Sequence, residues 1–213
     1  MIHPFLNTHF PHLILRPALF YSWKYGIRFE ISMPGLDTEH PQNQQQIAER
    51  STRIFDDVFL PHDEVLLVTD IHCAKNDAFL KKRPLNVYQK YIRDKEKRKK
   101  LQHLTLPEVF NEEDMVTHRF FLPCQKGDIR YKALLRVISF EDTNHPAKIG
   151  KGFPQAGVDL YFVNLTRKII YHLYDDRGCD VIASRKEELR SLYEKRQNWI
   201  LDDDREQIEK LFH

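Results

Sequence analysis

Val158-Asp-Leu-Tyr-Phe-Val-Asn164, Lys168-Ile-Ile-Tyr-His-Leu-Tyr174 and Asp180-Val-Ile-Ala183 decide the fold. The first two runs are rich in β-branched and aromatic residues and are joined by a short turn. The third follows Asp175-Asp-Arg-Gly178, so the stretch predicts an antiparallel three-strand meander. Ser184-Arg-Lys-Glu187 then has the Ser-x-x-Glu order of a capping box and opens a helix whose Leu189, Leu192 and Tyr193 face inward. Asp203 with Glu206 is set to cap a last helix that buries Ile208, Leu211 and Phe212.

Upstream of the meander, period-two alternation over Gly26 to Ser32 predicts a half-buried strand. Ile47, Ser51, Ile54 and Val58 share one face of a helix from Gln42 to Phe59, which Pro61 stops. Val65 to Ile71 is apolar and β-branched, a buried strand, and 117–122 is a further strand. Tyr131, Leu134, Leu135 and Ile138 keep the spacing of an amphipathic helix. Residues 85–101 read as helical and then highly charged. The whole, 1–213, reads as a single α+β domain: a mixed β-sheet with the C-terminal antiparallel meander, flanked by helices. Its parts are an aromatic N-terminal segment 1–25, a charged helix and loop 81–104, a loop 141–156 suited to a lid or a plain connection, and the region 157–213.

The totals narrow the function. A chain of 213 residues buries roughly 70% of its unfolded surface, and 14 Phe, 9 Tyr and 2 Trp supply a substantial core. The net charge of +2 gives no global field for nucleic acid, membrane or acidic substrate. Seven glycines leave little for phosphate-binding loops, and Lys148-Ile-Gly-Lys-Gly152 lacks the P-loop order. Cys73, Cys124 and Cys179 are odd in number and far apart, which disfavours a disulfide framework or structural zinc. The start has no signal-peptide pattern and no apolar run reaches the roughly 18 residues of a span, so the expected address is the cytoplasm, with no membrane partner. Eleven histidines scatter without metal-ligand spacing, and no Gly-x-Ser-x-Gly elbow is present, so neither metal nor cofactor is expected.

Three places concentrate charge. In the Tyr174 motif, Asp175 and Gly178 suit the first and fourth positions of a type I turn, and the Asp side chains accept the turn's N–H groups. The functional reading puts Asp175, Asp176 and Asp180 around a hard cation, with Arg177 reaching for a phosphate or carboxylate. A thiol at Cys179 beside Arg177 is a candidate for a lowered pKa. Asp202, Asp203 and Asp204 follow Trp199-Ile-Leu201; they complement a helix dipole, or join the Asp175 turn as one acidic patch for a basic protein, with Trp199 as its anchor. Residues 81–100 carry ten Lys or Arg against two acids, a net of +8, with Tyr88 and Tyr91 interleaved for base stacking. A solvated helix face explains that run without nucleic acid.

The stretch Ile169-Ile-Tyr-His-Leu-Tyr-Asp-Asp-Arg-Gly-Cys-Asp-Val-Ile-Ala183, with Leu192-Tyr193 and Trp199-Ile-Leu-Asp-Asp-Asp-Arg205, resembles a family of small bacterial proteins of unknown function, chiefly from Bacillus-type species. Its members are similar to this chain in length. In size and cytosolic character they resemble the immunity proteins that sit beside polymorphic toxins. The resemblance implies a family boundary rather than an activity.

The expectation is therefore a non-enzymatic cytosolic protein-binding module, of immunity-protein kind, using Asp175, Asp176, Arg177, Asp180, Trp199, Asp202, Asp203 and Asp204 against a toxin partner. The alternatives are a metal-dependent hydrolase or phosphate-handling enzyme on Asp175, Asp176 and Asp180, and a nucleic-acid binder through 81–100.

Overall fold

Val65 to Val68 and Leu160 to Val163 are apolar on both sides of the pleat, and both segments lie at the centre of the sheet, covered on both faces. The computed structural model describes residues 1–75, 86–106, 109–110, 114–141, 149 and 157–213. Among these, one sheet runs in the order β1 (Gly26–Glu30), β7 (Gly178–Ala183), β6 (Ile169–Leu173), β5 (Gly157–Asn164), β2 (Glu64–Ala74), β4 (Met115–Gln125), β3 (Gln102–Leu106). The α+β class holds, and the meander is β5-β6-β7. The expected mixed pairing is antiparallel at every recorded pair. The helix between β1 and β2 returns the chain to the middle of the sheet rather than to a parallel neighbour.

The pleat sends alternate residues to two cores. Val65, Leu67, Phe120, Leu122, Leu160, Phe162, Tyr171 and Val181 face the helices α3 (Pro41–Val58), α6 (Tyr131–Ile138), α7 (Glu187–Arg196) and α8 (Asp202–Phe212). In α3, Ile47, Ser51, Ile54, Phe55 and Val58 are buried, as the spacing predicts. Pro41 occupies the first turn and His40 accepts the Gln42 N–H. The opposite face carries Leu66, Val68, Phe121, Tyr161, Val163, Ile170 and Ile182. The N-terminal segment covers it with Ile2 and Leu6 from α1 (Ile2–His9), then Phe10, Leu13, Leu15, and Leu19 from α2 (Leu19–Ser22).

Several local expectations change. Residues 85–101 divide into α4 (Asn86–Tyr91) and α5 (Lys95–Arg98), because Asp94 is extended and accepts the Glu96 N–H at 2.8 Å, opening a new turn. The strand β3 follows at once, its first three residues lying within the charged helix and loop expected over 81–104. Tyr88 is buried with its hydroxyl donating to Leu67 O and Phe120 O, so it holds α4 to the sheet and has no face for a base. Ser184 makes no cap: α7 starts at Glu187 with no side-chain bond from its cap residue. Asp203 is likewise not a cap; α8 starts one residue earlier, so Asp202, Asp203 and Asp204 fill its first turn, where they complement the dipole. The loop 141–156 falls outside the described residues apart from its first residue and Ile149. No described helix is long and apolar enough to cross a membrane.

Candidate functional site

Where the apolar cover of the N-terminal segment ends, its face of the sheet turns polar. Antiparallel register places Arg28 opposite Asp180, Asp180 opposite His172, Asp70 opposite Asp159 and Arg119, and His72 opposite Thr117. All sit on the face that carries Val68 and Tyr161, because two-residue periodicity keeps them in step. A row of ionisable side chains therefore crosses six strands, with the carboxylates Asp159 and Asp70 side by side.

Each end of the row is closed by a buried ion pair. Arg28 donates from Nε and Nη2 to Asp180 at 2.7 and 2.8 Å, and Asp180 also accepts the Phe20 N–H at 3.1 Å. Burial works against the Arg28 charge, but the bonds and charge of Asp180 outweigh it and raise its pKa. The guanidinium also lies over the rings of Tyr21 and Tyr174, at 4.5 and 5.3 Å. At the other end Arg119 donates to both Asp70 oxygens, at 2.8 and 2.6 Å, and to Leu15 O. These bidentate pairs neutralise two of the three carboxylates in the row.

The third, Asp159, has histidines instead. His72 Nε2 lies 2.9 Å from Asp159 Oδ2, and His72 Nδ1 is 2.8 Å from Thr117 Oγ1. His172 Nε2 approaches Asp159 Oδ1 only to 3.5 Å. His172 is fully buried, stacks on Tyr161 at 4.4 Å, and has no hydrogen-bond partner at either ring nitrogen; the buried Tyr161 hydroxyl has none either. Burial opposes ionisation of Asp159, yet the two histidines overcome it and hold the carboxyl well below its usual range.

Asp159 keeps 15% of its side-chain surface and reaches a cavity of about 580 Å³. Pro17, Ala18 and Leu201 form apolar wall, Tyr174 an aromatic one, and Arg28, Glu30, Asp175 and Arg177 supply charge. The β1 strand brings these together. Its far edge pairs with the chain before α8, through a Phe29–Ile200 bridge and the Leu201 N–H on Arg28 O, while Ile31 N–H bonds Arg177 O at its C-terminal end.

Of the residues singled out from sequence, Asp175 is buried and accepts from Arg177 N at 2.7 Å and from its guanidinium, the Asx turn expected. Asp176 accepts from Thr38 Oγ1. Asp180 is buried under Arg28. Asp204 is buried and accepts from Tyr21 Oη at 3.0 Å, whereas Asp202 pairs with Arg205 at the surface and Asp203 is exposed. Trp199 is half-buried against the main core, with Arg196 and Arg50 over its ring. Both acidic stretches thus border β1, but their buried carboxylates are engaged internally, so no bare acidic patch forms from them. Cys179 is not activated: burial, then the nearby Asp180 charge, push its thiol pKa up. Gly178 serves close approach rather than turn conformation, since an added Cβ would lie 2.5 Å from Phe29 O and collide with the Tyr174 hydroxyl.

The histidines, scattered in sequence, form two meetings in space. His72 and His172 meet at one carboxylate, and His103 Nε2 lies 3.0 Å from His118 Nδ1, both of the latter with pKa lowered by burial. The signal was period two: Asp70 and His72, Asp159 and Tyr161, and His172 occupy one face of predicted strands where apolar residues were expected. His145 lies outside the described residues. In the basic run, Lys97 pairs with Asp128 at 2.5 Å and Lys99 with Glu96; residues 81–85 are outside the described set. Among the described residues no group of three or more His, Cys, Asp or Glu is disposed to hold a metal ion.

The family model of the domain of unknown function DUF3885 matches residues 2–204. The chain belongs to this family. The DUF3885 match takes in the whole sheet, the polar row and every residue lining the cavity. The uncharacterized protein YnaE of Bacillus subtilis (strain 168) is 31% identical over 205 residues, covering 92% of this chain and 95% of that protein. No solved structure matches.

Proposed function

We propose that this DUF3885 protein is a cytoplasmic, non-enzymatic binding protein of immunity type, which neutralises a toxin by taking part of it into the cavity beside Arg28. One observation carries the reading. The two stretches that mark the C-terminal region, Tyr174–Arg177 and Ile200–Asp204, are separate in sequence and converge on the two sides of β1 around one concave site. Its cavity falls within the roughly 300–1,000 Å³ of ligand pockets and has the expected make-up, apolar walls with a few fixed polar groups. Arg28 and Tyr174 are held in place before any partner arrives, which lowers the ordering cost of association. A metal-dependent hydrolase on Asp175, Asp176 and Asp180 is disfavoured, because a cation there must displace Arg177 and Arg28 from the carboxylates they already hold.

Co-expression with the product of the adjacent gene tests the proposal. A 1:1 complex on size exclusion, and rescue of growth when that product is toxic, are expected. No complex with the neighbouring product would count against it.

One arrangement favours a second reading. Thr117 Oγ1, His72 and Asp159 are joined in hydroxyl–imidazole–carboxylate order at 2.8 and 2.9 Å, within the reach that activates a nucleophile. Against it, Thr117 is almost fully buried on a strand paired on both sides. Fluorophosphonate labelling that maps to Thr117 would establish this reading; its absence leaves the binding role.

A further inference from the structure

We infer that the cavity beside Arg28 is a site for an organic cation, an alkylguanidinium or alkylammonium group. The inference rests on the cavity being the recognition site, and names the chemistry it recognises. Charge on the cavity wall decides the sign. Arg28 is neutralised by the fully buried Asp180, and Arg177 by the buried Asp175. What remains are two carboxylates. Asp159 has no arginine or lysine partner, and Glu30 has no ion pair among the described residues; both line the cavity. With only histidines beside Asp159, the surplus of charge facing this partly enclosed space is acidic.

The interior of the sheet points the same way. His172 is fully buried directly behind Asp159, and neither of its ring nitrogens has a hydrogen-bond partner, nor has the Tyr161 hydroxyl stacked beside it. Buried polar groups are rarely left unmatched without a functional reason. Asp159 lies 3.5 Å from His172 and also lines the cavity. A cation seated on Asp159 gives the carboxylate inside the row, which has only histidines beside it, the charged partner that Asp70 and Asp180 already have. The walls suit an alkyl stem: Pro17, Ala18 and Leu201 are apolar, and Tyr174 adds an aromatic surface.

Such a cation is either a free amine or the Arg or Lys side chain of a protein, and two probes separate them. Agmatine and acetyl-arginine amide are titrated into the ¹⁵N-labelled full-length chain, following the amides of Tyr174, Arg177 and Leu201. Saturable shifts are expected, weakened by at least about tenfold in Asp159→Asn and in Glu30→Gln. Shifts with both probes point to a protein side chain, and shifts with agmatine alone to a free amine. Glu30 is only partly buried, so Glu30→Gln keeps the test valid if Asp159→Asn loses the fold by circular dichroism. No saturable shift with either probe, unchanged affinity in the folded variants, or acetate shifting the same amides in their place would overturn the inference. Partner binding that survives both substitutions would overturn it while leaving the binding-protein reading intact.

Discussion

Asp159 is the residue on which the polar row turns. Its carboxyl titrates below the ordinary range in the folded chain, so the unfolded chain binds the proton more readily. Stability from this group is present above the unfolded-state value of about 4 and is lost as pH falls through the lower folded-state value. Thermal unfolding recorded from neutral pH into acid should show Asp159→Asn less stable than wild type at neutrality, with a shallower acid limb. An identical acid limb in the two would contradict this. Arg28 makes a different prediction. Removing it in Arg28→Leu leaves Asp180 buried without a counter-charge, and urea denaturation should report a loss of about 3–5 kcal/mol. At this scale the sequence was least legible. Asp180 stood out as part of a turn, yet its partner Arg28 is 152 residues away, and His72 and His172 are joined only through β5. No local pattern records such meetings; strand register creates them.

Elements were far easier to foresee. Apolar spacing located α3 and α6, and β-branched runs located β2, β5 and β6, since burial of one face dictates those periods. Failures fell where the side chains are charged. The break between α4 and α5 depends on one Asp cap, and β3 is an edge strand with little apolar content. The Ser184 and Asp203 caps failed because their helices begin at other residues. Gly178 joins two elements so tightly that Gly178→Ala should cost about 1–3 kcal/mol through a Cβ pressed on the Phe29 carbonyl. The midpoint of chemical denaturation checks this, and the same change should displace Tyr174 from the cavity.

The whole molecule is a sheet clothed unequally: helices over one face, a single N-terminal segment over the other. That segment buries Ile2, Leu6, Phe10, Leu13 and Leu15. At roughly 1.5–3 kcal/mol for each buried side chain, the five approach the 5–15 kcal/mol by which domains are stable at all. Removal of residues 1–15 should therefore abolish cooperative unfolding and raise binding of a hydrophobic dye; a sharp melt in the truncated chain would show that the second core is dispensable. The same segment supplies Pro17 and Ala18 to the cavity, so the fold and the proposed recognition site are coupled at its end. The most direct test of that proposal is calorimetric titration of the adjacent-gene product into wild type and into Ser32→Trp, which places an indole at a residue lining the cavity. The account predicts a 1:1 complex with wild type and at least about a hundredfold weaker binding to Ser32→Trp, roughly 2.7 kcal/mol, at an unchanged melting temperature. Equal affinity for the two proteins would contradict it.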